Sequence, residues 1–176
     1  MTRPNGNAIN ASVRKNVDRY EAMLMSGRRE YFDEDDLLDV ADYYYNDMSR
    51  KENALQCIEY ALSLHPECLM ALLMKAEIYF YSGKRDEAWL IIDSVSDRTD
   101  QDVLYYKGLF CLEEGKLEKS KELFIDLIDV DKYDNYIRNR LSYINQILII
   151  RLKNLVKKNP YDDALKIQLS WCYYEN

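Results

Sequence analysis

The chain has 176 residues, of which 48% are hydrophobic and 31% are charged, and its formal net charge is −7. This length is enough for one domain with a real core, and the composition is that of a soluble globular protein rather than a disordered one. The acidic balance argues against a general nucleic-acid binder, whose affinity comes largely from Lys and Arg on phosphates.

Several features of the sequence favour a cytoplasmic protein. No apolar run approaches the ~18 residues of a membrane-spanning helix, and residues 1–17 lack the continuous apolar stretch of a secretory signal. The cysteines show no Cys-x-x-Cys spacing, so we expect them to pack as small hydrophobes. They are Cys57, Cys68, Cys111 and Cys172.

The N-terminal region divides into two predicted segments. Residues 1–10 contain a proline, a glycine and several asparagines, which predicts a disordered arm. Residues 11–32 are predicted to form a capping helix and a linker, because Val13, Val17, Tyr20 and Leu24 fall on one helical face. Such a helix would cover the exposed end of a stack of hairpins.

Residues 69–99 contain two apolar-periodic helices separated by a break at Gly83. Shifted by 34 residues toward the N-terminus, the stretch places Ala88 on Ala54, and shifted by 32 residues the other way it places Gly83 on Gly115. A helical hairpin that recurs at a nearly constant period is typical of a solenoid of stacked hairpins.

Local signals mark where individual helices begin. Ser49 and Glu52 have the spacing of a capping box, which predicts that Ser49 caps the second helix of the first hairpin. Thr99 is predicted to be the N-cap of the third hairpin.

Three units carry large, small and aromatic residues at matching positions. The unit 35–68 has Leu38, Ala41, Asp42, Tyr45, Ala54, Ile58, Ala61 and Pro66. The unit 69–100 has Leu72, Lys75, Ala76, Tyr79, Ala88, Ile92 and Val95. The unit 101–134 has Leu104, Lys107, Gly108, Cys111, Ser120, Phe124 and Leu127. A half unit, 163–176, has Leu169, Ser170, Tyr173 and Tyr174.

These units resemble tetratricopeptide repeats (TPRs), helix–turn–helix units of about 34 residues. The resemblance implies an all-α fold, a right-handed α-α superhelix or TPR-like solenoid over residues 33–176. An N-terminal capping helix would precede it, and a long, non-standard helix would lie near the C-terminus. Residues 135–160 form a degenerate unit.

The long helix is predicted from an unbroken apolar stripe in this degenerate unit. Its members are Ile137, Leu141, Ile144, Leu148, Leu152 and Leu155, and no glycine or proline interrupts them. We expect one helix of roughly 25 residues, ~37 Å long. The alternative is a compressed hairpin near Asn145 and Gln146.

The TPR resemblance implies that the first helix of each hairpin lines an inner groove. Mapped onto this chain, the groove positions are Asp36, Asp39, Tyr43, Asp47, Met70, Leu73, Glu77, Phe80, Tyr81, Tyr105, Leu109 and Leu112. The groove would be acidic at one end and apolar or aromatic in the middle, which suits a basic or apolar peptide or helix. The implied function is a protein–protein interaction scaffold or adaptor. Asp39 and Tyr43 replace the Lys and Asn of the TPR carboxylate clamp, so a C-terminal carboxylate would be repelled.

The charge distribution favours an alternative function. Residues 33–47 carry seven acidic residues and no basic one, whereas residues 132–158 have a net charge of +6. The alternative is a structural, self-associating protein that oligomerises, for example as a homodimer, through the long helix 134–158. The candidate contacts are Ile137, Ile144, Ile147 and Ile150. The overall charge weighs against a nucleic-acid role for the basic segment.

The sequence offers little for catalysis. Its single histidine, His65, lies at a hairpin exit, and the five glycines are scattered rather than gathered in a phosphate-binding loop. We therefore expect no enzymatic activity, no cofactor, no metal and no membrane partner.

Overall fold

The computed structural model describes residues 11–47, 49–128 and 134–174, with the side chain of Asp134 excepted. The predicted arm 1–10 lies outside this described part of the chain. Within the described ranges every regular element is a helix, which confirms the all-α prediction. The helices are α1 (Ala11–Ser26), α2 (Glu34–Tyr45), α3 (Lys51–Leu64), α4 (Leu69–Tyr81), α5 (Arg85–Ser94), α6 (Gln101–Glu113), α7 (Leu117–Ile125), α8 (Asp134–Lys158) and α9 (Asp163–Tyr174).

The chain divides into two compact units. The first contains α1 to α5, and the second contains α6 to α9. In the first unit α2 packs on α3 and α4 packs on α5, while α1 lies on α2 and α3 lies on α4. In the second unit α6 packs on α7, α7 on α8, and α8 on α9. The boundaries of the predicted repeat units stay predictions.

Aromatic residues build the core of the first unit. Tyr20 of α1 is 1% exposed, and its ring lies 6.1 Å from Phe32, 6.3 Å from Tyr44 and 6.1 Å from Tyr60. Burial of these aromatic rings removes apolar surface from water, which stabilises the contact between α1 and its neighbours. The predicted N-terminal helix is therefore an integral layer of this unit, held on α2 and α3 by the buried face that contains Tyr20.

Glycine allows the chain to reverse between paired helices. Gly83 follows α4 with φ 86°, and Gly115 follows α6 with φ 74°. This backbone conformation costs an L residue energy but costs glycine none, so both hairpins turn at the positions expected from the sequence.

Two of the predicted helix starts are wrong. Ser49 does not cap α3, because its amide and its hydroxyl both donate to Asp47 Oδ1, at 3.0 and 2.7 Å, and the helix begins after Arg50. The N-cap of α6 is Asp100 rather than Thr99. Asp100 Oδ1 accepts from the amides of Asp102 at 2.8 Å and Val103 at 3.3 Å, which supplies two of the amide partners that a helix start lacks.

The long C-terminal helix is confirmed, because α8 runs for 25 residues without a break. Ile137 and Ile144 are 0% exposed and belong to a buried cluster with Phe124 and Leu127 of the α7 region. The compressed hairpin near Asn145 does not form.

Candidate interaction surfaces

A row of carboxylates lies on α2 in the first unit. Asp35 and Asp39 are exposed and Asp42 is half-buried, and their spacing of four and three residues places them on one helical face. Burial raises the pKa of Asp39, and the charges of Asp36, Asp35 and Asp42 raise it further. We call Asp35, Asp39 and Asp42 the acidic α2 face. Its carboxylates repel one another, so a cation placed beside them would be stabilised.

Two of the predicted groove carboxylates already have partners within the chain. Asp36 accepts a 2.7 Å hydrogen bond from Asn16 Nδ2 and lies 3.9 Å from Arg19, so it holds α1 against α2. Asp47 accepts both hydrogen bonds of Ser49, and these lower the pKa of its carboxyl. Both carboxylates therefore help to form the fold, and Asp39 is the predicted groove carboxylate of α2 that faces solvent.

Tyr43 lies in a shallow cavity between α1, the end of α2 and the start of α3. The cavity is lined by Arg14, Val17, Asp18, Glu21, Tyr43 and Arg50. Glu21 Oε1 accepts from Arg50 at 3.0 Å and from the Tyr44 hydroxyl at 3.1 Å, and the Arg50 guanidinium stacks 4.3 Å from the Tyr44 ring. The α1 helix thus contacts the part of α2 that was assigned to an open groove. This contact has no signal in the sequence, because Glu21 and Arg50 are 29 residues apart and follow no repeat.

The predicted groove positions on α4 divide into exposed and buried residues. Tyr81 is 46% exposed, and Met70 and Glu77 are half-buried. Leu73 and Phe80, at 0% and 2% exposed, belong to the core and offer a ligand no surface. The buried residues of α4 occur at nearly every second position, so this helix is enclosed on several sides rather than on one stripe. The Phe80 ring instead supports its neighbour Tyr81, with the two ring centroids 5.5 Å apart.

The predicted positions on α6 are also mostly packing residues. Tyr105 is 9% exposed and Leu112 is 8% exposed, and both belong to the buried cluster that contains Phe124. The Tyr105 and Phe124 rings lie 6.2 Å apart. Leu109 is half-buried. Tyr105 and Leu112 are therefore better explained as contacts between α6 and its neighbours than as ligand contacts.

The isoleucines proposed for self-association are mostly unavailable. Ile137 and Ile144 are fully buried in their own unit, and Ile147 packs against the same cluster. Ile150 is 61% exposed. The apolar stripe read from the sequence is the side of α8 that faces α7, because the first half of the helix must cover that neighbour.

The residues that could have suggested chemistry have structural surroundings. His65 Nε2 lies 2.8 Å from the carbonyl oxygen of Phe32, and its ring lies 5.6 Å from that of Tyr31. Burial raises the pKa of the Cys57 thiol to about 12. No group of His, Cys, Asp or Glu side chains in the described ranges is arranged to hold a metal ion. None of the helices in those ranges combines the length and apolarity needed to cross a bilayer.

Comparisons with known proteins identify the fold. No model of a known protein family matches the sequence, and no curated protein matches it. A solved structure, the MamA RS-1 ArsTM double mutant, superposes with a TM-score of 0.52 at 18% identity, over 96% of this chain and 100% of that chain. MamA is a TPR-containing protein. At this identity the likeness shows the fold alone.

The chain therefore has an all-α, TPR-like fold, with a helix before the first hairpin and a long helix near the C-terminus, as predicted. The likeness to a TPR-containing structure supports the class suggested by the repeat pattern.

Proposed function

We propose that this protein is a non-catalytic interaction module that binds a basic or apolar segment of a partner protein. TPR-like folds typically serve as scaffolds for protein partners, which supports the general class. The observation that carries the finer proposal is the acidic α2 face, where the pKa of Asp39 is raised by burial and by three neighbouring carboxylates. A partner cation would relieve part of that repulsion.

The apolar part of the ligand would meet accessible side chains of the first unit. Among the predicted groove residues these are Tyr43, Met70 and Tyr81, which are half-buried or exposed. Flexible methionine and rigid tyrosine side chains suit a surface that accepts an extended or helical segment. The continuous groove over all three hairpins stays a prediction.

The proposal is tested with a fluorescent peptide of alternating lysine and leucine, followed by anisotropy. A peptide of alternating glutamate and leucine is the control ligand. We expect the lysine peptide to bind, the glutamate peptide to bind less, and added salt to weaken the lysine complex because exposed charges are screened.

A matched pair of variants assigns the binding to α2. Asp35→Asn/Asp39→Asn removes two carboxylates from the acidic face, and Asp86→Asn/Glu87→Gln removes two exposed carboxylates from the start of α5. At ~0.5 kcal/mol for each exposed charge, the first pair should weaken binding about fivefold and the second should leave it unchanged. Equal affinities for both variants, or no binding of the lysine peptide, would contradict the proposal.

A further inference from the structure

The last helix of the second unit carries an exposed apolar face. Ile167, Trp171 and Tyr174 are spaced by four and three residues, and they are 57%, 60% and 86% exposed. The Trp171 and Tyr174 rings meet edge to face at 6.3 Å. The opposite side of α9 holds the half-buried Leu165, Leu169 and Cys172, and no residue between Asp163 and Tyr174 is fully buried. We call Ala164, Ile167, Ser170, Trp171 and Tyr174 the α9 outer face.

The repeat register shows what this face is shaped to receive. Ser170 occupies the same repeat position as Gly108 of α6, and Ile167 the same position as Tyr105. At Gly108 α7 approaches α6 closely, since a Cβ there would lie 2.5 Å from the Phe124 ring. Tyr105 contacts that same ring. The corresponding face of α9 is therefore one on which another helix can pack closely.

The size of the face is that of an association surface. At ~200 Å² for a whole aromatic side chain, Trp171 and Tyr174 together expose about 300 Å². Adding Ile167 brings the area to about 400 Å², within the range of the largest apolar patch on a typical monomer and about half of what one partner buries in a standard interface.

The charge of the face favours a second copy of the same chain. A two-fold interface brings each surface against itself, so any charge near the axis would meet a like charge. The five residues of the α9 outer face are uncharged, and Asp163, one turn before Ile167 on the same side of the helix, is neutralised by a 2.8 Å ion pair with Lys166.

We propose that the α9 outer faces of two copies pair antiparallel around a two-fold axis and make the protein a homodimer. Ser170 lies near the axis, where its small side chain allows the two helices to approach. Trp171 and Tyr174 of each copy pack on Ile167 and Ala164 of the other. This interface replaces the one expected from the isoleucines of α8, and it goes beyond the binding of a basic segment by the first unit.

Sedimentation equilibrium over the micromolar range tests the pairing. We expect the wild-type mass to rise from monomer to dimer, and Ile167→Glu to weaken the dimer more than tenfold, because it buries an unpaired charge. Two matched controls also place a glutamate at exposed apolar sites, Leu90→Glu on α5 and Ile150→Glu on α8, which are 71% and 61% exposed. Both should dimerise like the wild type. A wild type that stays monomeric, or an Ile150→Glu that weakens the dimer as strongly as Ile167→Glu, overturns the proposal.

Disulfide cross-linking tests independently whether the two-fold axis passes near Ser170. In a Cys172→Ala background, Ser170→Cys should form a disulfide-linked dimer on mild oxidation, because residues at the axis come within the ~5.5 Å Cα separation that a disulfide needs. Gln168→Cys, on another side of α9, should cross-link much less. Equal cross-linking of Ser170→Cys and Gln168→Cys overturns the antiparallel arrangement. A protein that stays monomeric and binds a helix of another protein on the α9 outer face overturns self-pairing.

Discussion

The close approach of α6 and α7 at Gly108 can be tested with one methyl group. In a helix interior, alanine is favoured over glycine by roughly 0.5–1 kcal/mol, so helix propensity alone predicts that Gly108→Ala stabilises the protein. The structure predicts the opposite. A Cβ at Gly108 would lie 2.5 Å from Phe124 Cε1 and 2.9 Å from Cδ1 and Cζ, and the Phe124 ring is 0% exposed, so it has no room to withdraw.

The expected magnitude follows from these opposing terms. Overpacking a core by one methyl costs roughly 1–3 kcal/mol, and the gain in propensity offsets part of it. We expect Gly108→Ala to lower the free energy of unfolding by about 1–2 kcal/mol, measured by urea denaturation, and to lower the melting temperature by about 2–8 °C.

A double-mutant cycle identifies the cause of the loss. Phe124→Leu removes the atoms that would clash, so Gly108→Ala should cost less in the Phe124→Leu background than in the wild type. A Gly108→Ala protein that is as stable as the wild type or more stable, or a cost that does not change in the Phe124→Leu background, would refute the packing described for α6 and α7.

Three further predictions concern the first unit and the thiols. Asp39→Asn should raise the free energy of unfolding at neutral pH, because a carboxyl whose pKa is raised on folding destabilises the folded chain once it is ionised. This gain in stability should vanish below pH 3.8, the ordinary carboxyl pKa, where the carboxyl is protonated in both states. A gain that persists below that pH would contradict the raised pKa of Asp39. Asn16→Ala removes the 2.7 Å hydrogen bond to Asp36 and should cost about 1.5 kcal/mol in urea denaturation, whereas a cost near zero would show that α1 is held by its apolar face alone. Cys57, whose thiol pKa is raised to about 12 by burial, should resist alkylation in the folded protein, while the half-buried Cys172 reacts first. Mass spectrometry of the labelled peptides measures this order, and labelling of Cys57 before Cys172 would contradict the prediction.

Much of the fold could be predicted because the repeat pattern is local. The reversals at Gly83 and Gly115 depend on a backbone conformation that glycine adopts at no cost, and each helix pair follows from apolar residues three and four apart. The unbroken α8 helix was predictable for a related reason, since no residue in its sequence interrupts a helix.

The exposure of the predicted site residues was less predictable. A repeat position states which helix face a residue occupies, but long-range packing decides whether that face stays open. Asp36 has a groove position but is held by a hydrogen bond from Asn16 of α1, and Phe80 has a groove position but is only 2% exposed. Neither the hydrogen bond of Asp36 nor the burial of Phe80 follows from the repeat, so a single sequence carries no local signal for them.

The apolar face of α9 could have been found from the sequence. Ile167, Trp171 and Tyr174 have helical spacing on the side opposite Leu165 and Leu169, so α9, which packs on α8, carries two apolar faces. The charge distribution and the isoleucines of residues 134–158 instead predict self-association through α8. Most of those isoleucines cover α7 in the same unit.

The most direct test of the proposed function is a titration of the labelled protein with the alternating lysine–leucine peptide, followed by amide chemical shifts in nuclear magnetic resonance spectra. We expect the shift changes to concentrate on the amides of Asp35, Asp39 and Asp42, to extend to Tyr43 and Tyr81, and to decline as salt is added. Shifts confined to α6 through α9, or a spectrum that the peptide leaves unchanged, would contradict the assignment of binding to the acidic α2 face.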